Sequence, residues 1–202
     1  MHPLALALTG LLTGWGLIVA IGAQNAFLLR QGLRGEHVAA IVAFCVISDV
    51  VLIGMSIAGI GAALAHWPAL VPIARWGGGL FIIGYGLHAG RRAFHPLALQ
   101  AETSRAMSLT RALTVIGALT WLNPHLYLDI MLLGTIANSH GPLGRWWFFA
   151  GLVLASTTWF VGVGYGARLL RPFFARPRSW QILDSLIAVV MVTLGVTLIA
   201  RG

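Results

Sequence analysis

Apolar residues fall along this chain in six long runs, at about 4 to 29, 38 to 65, 70 to 90, 112 to 137, 145 to 168 and 180 to 200, with polar residues collected between them. Each run meets or approaches the roughly 20 residues that a helix needs to cross about 30 Å of hydrocarbon, so each predicts a membrane-spanning helix. Breakers mark the ends: His66-Trp67-Pro68 after the second run, Ser139-His140-Gly141-Pro142 after the fourth, and Arg171-Pro172 through Pro177-Arg178 after the fifth. The longest polar connection, about 91 to 111, divides the six into two sets of three, in half repeats of about 1 to 95 and 106 to 202. No gap is wide enough for a soluble domain. The expected fold is therefore an all-α membrane protein, a single transmembrane domain over residues 1 to 202. The first run follows Met1, His2 and Pro3 without the basic lead of a secretory signal and is too long for a signal's apolar region, so it is expected to remain as the first helix.

Three helices per half reverse the orientation of the second half, so internal similarity would mark a 3+3 inverted-topology repeat with a site near mid-membrane. At an offset of 98, Ile18, Ala20, Asn25 and Leu28 meet Ile116, Ala118, Asn123 and Leu126; at 108, Ser48 and Gly54 meet Ser156 and Gly162; at 111, Gly84 and Leu87 meet Gly195 and Leu198. Matches among Ala, Leu and Gly are cheap in such a chain. The Asn25/Asn123 pair carries more weight, because asparagine is rare in apolar helices.

Composition agrees with the pattern: of 202 residues, 58% are hydrophobic and 9% charged, against roughly 25% charged in soluble domains. A net charge of +8 could point to nucleic acid, but all 13 basic residues are arginines in short connections, which is a topological signal and not a nucleic-acid patch. Six alternating crossings put Arg30, Arg34, Arg91, Arg92, Arg105, Arg111, Arg168, Arg171, Arg176 and Arg178 on one side, and Arg75, Arg145 and Arg201 on the other. Cytoplasmic loops collect Lys and Arg, so both termini are expected on the periplasmic side. Cys45, the only cysteine, excludes an intramolecular disulfide and a cysteine metal cluster and reads as a small buried hydrophobe.

The polar residues inside the runs carry the chemistry. "GALTWLNPHLYLDIMLLG", residues 117 to 134, sets Asn123, Pro124, His125, Tyr127 and Asp129 within an apolar span. Pro124 has no N–H, so the Thr120 carbonyl is expected to lose its helical partner, a defect tolerated where protein or water surrounds it. The first run has a matching feature in "IGAQNAF", where Gly22 weakens the helix ahead of Gln24 and Asn25. Asp49 lies near the middle of the second run, and Asp129 follows His125 by four residues, on one helical face. An ionised side chain at that depth costs about 3 kcal/mol, which makes each carboxylate a functional candidate; the structural alternative is a pairing of Asp49 with Arg30 or of Asp129 with His125. His125 is either a proton relay or the partner that fixes Asp129, and Tyr127 either lines the same cavity or packs as a core aromatic. Asp184, about a turn past Ser179, is a candidate for proton coupling or faces the membrane interface, while Glu36 and Glu102 lie in loops. Trp67, Trp76, Trp146, Trp147 and Trp180 fall near run ends as an aromatic belt. The glycines at 77 to 79 and at 162, 164 and 166 suit close helix contact and lack the strand-turn-helix setting of a phosphate loop.

Two deep carboxylates with amide acceptors favour a cationic solute with several donors. The segments "GAQNAFLLRQGL" (22 to 33), "SDVVLI" (48 to 53) and "LTWLNPHLYLDIMLLG" (119 to 134) resemble the signature segments of the LysE/ArgO-type basic amino-acid exporters, and the likeness extends over almost the whole chain. Related exporters of neutral amino acids carry a Pro-Gly-Pro-type motif in the first helix, where this chain has Gly22-Ala23-Gln24-Asn25. The resemblance implies export of L-arginine or L-lysine across the bacterial inner membrane, without a cofactor and without enzymatic chemistry; a homodimer is left open. An inside-negative potential retains a cation by about 2.3 kcal/mol per charge per 100 mV, so net export must be driven, with protons as the natural counter-ion. Asp49 or Asp129 could hold a proton when empty and yield it to a guanidinium or ammonium. The competing reading is a divalent metal-cation exporter, yet only His125 and Asp129 share a face at ligand spacing. An intramembrane enzyme would need a nucleophile or acid/base pair, and no such motif is present.

Overall fold

The computed structural model describes residues 2–19, 22–58, 70–94 and 106–200, without the side chains of 70–75, 124, 125, 127, 128, 175 and 177. Among the described residues the chain is all-helical: α1 Pro3–Ile18, α2 Ala23–Arg34, α3 Val38–Ile57, α4 Leu70–Phe94, α5 Leu109–Trp121, α6 Pro124–Ser139, α7 Gly141–Gly166 and α8 Pro177–Ala200, with two short 3-10 turns between α7 and α8. Three of these elements are long and apolar enough to cross a membrane, namely α3, α7 with its 3-10 extension, and α8 from Arg178; α1 and α2 together make a fourth, bent by 86°.

The first and fourth apolar runs are each two helices instead of one. In the first, Gly22 caps α2 from extended backbone and offers no side chain to its free N–H groups. In the fourth, α5 ends at Trp121 and α6 begins at Pro124, whose missing N–H ends the hydrogen-bond ladder. The Thr120 carbonyl is not left bare as expected: the Asn123 N–H turns back to it at 3.4 Å. The fourth and fifth runs part at Ser139-His140-Gly141-Pro142 as expected: α6 ends at Ser139, and Gly141-Pro142 opens α7 with Pro142 in the first turn, where no N–H is needed. The described part of the second run ends α3 at Ile57, and residues 59 to 69 lie outside the described residues, as does 95 to 105 of the long connection.

Packing relies on small residues. α1 lies along α7, and a Cβ on Gly10 would overlap the Phe148 backbone while one on Gly151 would overlap the backbone of Ala7 and Leu11. Such close approach is how helices associate where lipid removes the hydrophobic drive. α4 and α8 form a second intimate pair, with Gly195 against Ile83 and Gly86 against Met191 and Val192. α2, α3 and α6 pack beside α7, and α5 packs on α2, α3 and α4.

The core is apolar, but polar residues are buried with it and apolar residues also face outward. Arg30, Gln31, Asp49, Arg92, Thr120, Ser156 and Asp184 are buried, while Leu4, Leu8 and Leu12 on α1 and Ile182, Leu186 and Val189 on α8 form exposed apolar stripes. Stripes of this extent suit hydrocarbon and not water.

One end of the bundle gathers the arginines. There the C-termini of α2, α4 and α7 meet the N-termini of α3, α5 and α8: Arg171 Nε donates to the Leu33 carbonyl at 2.9 Å, Met107 N to Glu36 at 3.3 Å, and His37 Nε2 to the Met107 carbonyl at 2.7 Å. Gly35 ends α2 at φ +73°, a left-handed backbone suited to glycine, with the Arg171 guanidinium against it.

Candidate functional site

The site is built on one face of α7. Ser156 and Trp159 stand three residues apart and therefore point to the same side. Ser156 Oγ donates to Asp49 Oδ2 at 2.6 Å, and Trp159 Nε1 donates to Asn25 Oδ1 at 3.2 Å. Asn25 in turn donates through Nδ2 to the Ile18 carbonyl at 2.9 Å, bridging the break and occupying an orphan acceptor at the end of α1. α7 thus brings the broken first helix and the α3 carboxylate to one place. Asp49 is 7% exposed in the middle of an apolar helix, where removal from water is expensive without partners.

Further polar groups lie on the neighbouring elements. Gln24, in the first turn of α2, places its side-chain amide against the Cys45 thiol one turn before Asp49, and its buried Nε2 finds no other hydrogen-bond partner among the described residues. Thr120, at the end of α5, is buried, and its Oγ1 has no hydrogen-bond partner among the described residues. Beside it Trp121 Nε1 donates to Ser48 Oγ at 3.2 Å, fixing the end of α5 against α3 next to Asp49. The ensemble is a carboxylate, two side-chain amides and a serine hydroxyl where the broken first run meets α3 and α7, an arrangement that can exchange hydrogen bonds with a polar cation.

α6 continues from this point alongside α3. Ser56 Oγ donates to the Ile130 carbonyl at 2.8 Å, and Gly134 packs directly on Ser56. Because Ser56 lies two turns beyond Asp49, and each residue rises about 1.5 Å, Asp129 stands roughly 10 Å along the bundle axis from Asp49. It is partly exposed.

The LysE type translocator family matches residues 16–202. The chain belongs to that family. A Mycobacterium tuberculosis protein whose name assigns it to amino-acid transport is 45% identical over 187 residues, 92% of each chain. The protein named lysine exporter LysE of Corynebacterium diphtheriae is 34% identical over 97% of this chain and 99% of its own. The protein named arginine exporter ArgO of Serratia proteamaculans is 35% identical over 98% of both. No solved structure matches. As a LysE translocator with several apolar helices, the chain is a multi-pass membrane protein.

In this LysE translocator the residues singled out from the sequence divide into groups. Asp49, Asn25 and Gln24 come together around α7. Asn123 sits partly buried at the α5–α6 break. The side chains of Pro124, His125 and Tyr127 lie outside the described residues. Asp184 does not face the membrane interface: it is fully buried between Arg30 and Arg92. Arg30 accordingly bonds to Asp184, and Asp49 takes its hydrogen bond from Ser156. Ser156, Trp159, Trp121 and Thr120 were not candidates; the Ser48/Ser156 match and the position of two indole N–H groups in mid-run were the signals for three of them. Among the described residues no three His, Cys, Asp or Glu side chains form a metal-binding group.

Proposed function

We propose that the protein is a secondary active exporter of L-arginine, L-lysine or both across the bacterial inner membrane, driven by the proton-motive force. The observation that carries this reading is Asp49: a carboxylate buried in mid-helix, oriented by Ser156, where the break ahead of Gln24 and Asn25 meets α3 and α7. Relatives named lysine and arginine exporters, aligned over nearly their full length, support the substrate class.

In this reading Asp49 and Asp129 bind the cationic groups of the substrate and exchange them for protons. Their offset of roughly 10 Å along the bundle axis, two helical turns, suits a solute that carries cationic groups at both ends. Asn25, Gln24 and Asn123 supply amide contacts, Tyr127 lines the same path, His125 fixes Asp129, and Pro124 holds the second helix break open. Exchange of one cation for one proton leaves the buried charge unchanged and lets the proton gradient offset the roughly 2.3 kcal/mol per 100 mV that retains the substrate.

The proposed topology has six crossings in a 3+3 inverted repeat, with α1–α2 and α5–α6 as broken spans and the arginine-rich end in the cytoplasm. The meeting of three helix C-termini and three N-termini at that end supports this arrangement. Efflux of labelled arginine and lysine from cells with and without the protein tests the substrate. Equal efflux from both rejects export of basic amino acids, and efflux that continues uphill after protonophore treatment rejects the coupling alone.

A further inference from the structure

Asp184 of α8 is fully buried, and two arginines from other helices converge on it. Arg92 of α4 reaches both carboxylate oxygens, Nη2 to Oδ1 at 3.1 Å and Nε to Oδ2 at 3.3 Å, the two-pronged geometry of a strong guanidinium–carboxylate contact. Arg30 of α2 bonds to Oδ1 and lies 5.8 Å from the Trp180 ring centre. The two arginines are 5% and 3% exposed. These contacts join residues 92 and 154 apart in sequence.

The location of the cluster gives it meaning. α4 and α8 pack on each other far more extensively than on the rest of the bundle. The cluster ties this helix pair to α2 at the arginine-rich end, where Arg171 and Glu36 also lie. At its other end α2 carries Gln24 and Asn25, six and five residues before Arg30 and so only about 9 and 7.5 Å along the helix. Buried ion pairs contribute little net stability beside apolar packing, because desolvation opposes their attraction; what they supply is a defined arrangement. They differ from apolar packing in one further respect: parted charges are well solvated when water enters between them, so such a joint can open without a large penalty.

We propose that Arg30, Asp184 and Arg92 form a latch that holds the α4–α8 pair against α2 and shuts the arginine-rich mouth of the transport path, and that its release admits substrate toward Asp49. The placement of this mouth in the cytoplasm rests on the export reading; the latch itself does not. Asp184 in this role is a positioning residue and stays outside the proton path.

The test is thiol accessibility in purified protein reconstituted in nanodiscs, which leave both faces open to a membrane-impermeant maleimide. In a Cys45→Ala background, Ala89→Cys places a fully buried reporter on α4 one turn from Arg92, and Ala137→Cys places a fully buried control on α6. Asp184→Asn should speed labelling at position 89 at least tenfold and leave position 137 within twofold. Exchange of the charges, Arg92→Asp with Asp184→Arg, should slow labelling at 89 again. Unchanged labelling at 89, or equal acceleration at both positions, overturns the latch. If Asp184→Asn does not reach the membrane, Arg92→Gln, which retains the Arg30–Asp184 pair, takes its place under the same criteria. Labelling needs no substrate, so a latch that opens in a protein unable to export arginine would reject the export reading alone, and unchanged labelling in an active exporter would reject the latch alone.

Discussion

Ser156→Ala probes how tightly the Asp49 carboxylate is tuned. The substitution removes one oxygen from a side chain that is 1% exposed and whose hydroxyl donates the 2.6 Å bond to Asp49. A hydrogen bond to a charged group contributes about 1.5–3 kcal/mol net, and about 1.4 kcal/mol is a factor of ten. If that bond orients the carboxylate for the substrate cation, its loss lowers kcat/KM for arginine efflux by roughly 10- to 150-fold. The change creates almost no cavity but leaves a buried carboxylate short of one donor, which lowers the melting temperature in detergent as well, so efflux is compared per folded molecule in the membrane. The assay is the initial rate of labelled arginine efflux from proteoliposomes loaded at graded concentrations. Efflux by the Ser156→Ala protein within twofold of the unmodified protein would refute the reasoning, because Asp49 would then be handling nothing that depends on its orientation.

Other perturbations address the frame around that carboxylate. Gly151→Ala drives a methyl into the Ala7 and Leu11 backbone and should cost about 1–3 kcal/mol, read as a lower melting temperature in detergent, with efflux per folded molecule less affected. Asn25→Ala strips the Ile18 carbonyl and the Trp159 indole of their partner, at about 1–3 kcal/mol for each buried group left unsatisfied, and should impair export while protein remains in the membrane. Reporter fusions after Gly202 and within residues 91 to 111 should signal the periplasm and the cytoplasm respectively; a cytoplasmic signal after Gly202 would reject the six-crossing topology or its orientation.

The breaks in the first and fourth runs were legible because Gly22 and Pro124 act locally, through helix propensity and a missing donor. Their extent was not. The gap after Ile18 depends on Asn25 reaching back to a carbonyl and on Trp159 holding Asn25, contacts that no local pattern encodes. Asp49 stood out as a charge in an apolar run, yet its partner is 107 residues away, and only the weak Ser48/Ser156 match hinted at it. Asp184 misled for the opposite reason: its closeness to the start signal at Ser179 imitates an interfacial residue, and its burial comes from two arginines on distant helices. Arg30 and Arg92 were counted as loop charges because they lie at run ends, where an arginine that snorkels to the interface and one buried in an ion pair look the same in sequence.

The most direct measurement of the central claim is arginine efflux by membrane-inserted Asp49→Asn protein in proteoliposomes with an imposed proton gradient, beside Asp49→Glu and the unmodified protein. Asn preserves size and removes both charge and titration, so efflux should collapse, while Glu, which retains a carboxylate, should keep part of it; dissipating the gradient should abolish uphill efflux by the unmodified protein. Near-normal, gradient-driven efflux by Asp49→Asn would contradict the account, since the carboxylate at the meeting point of the broken helices would then neither bind the cation nor carry the proton.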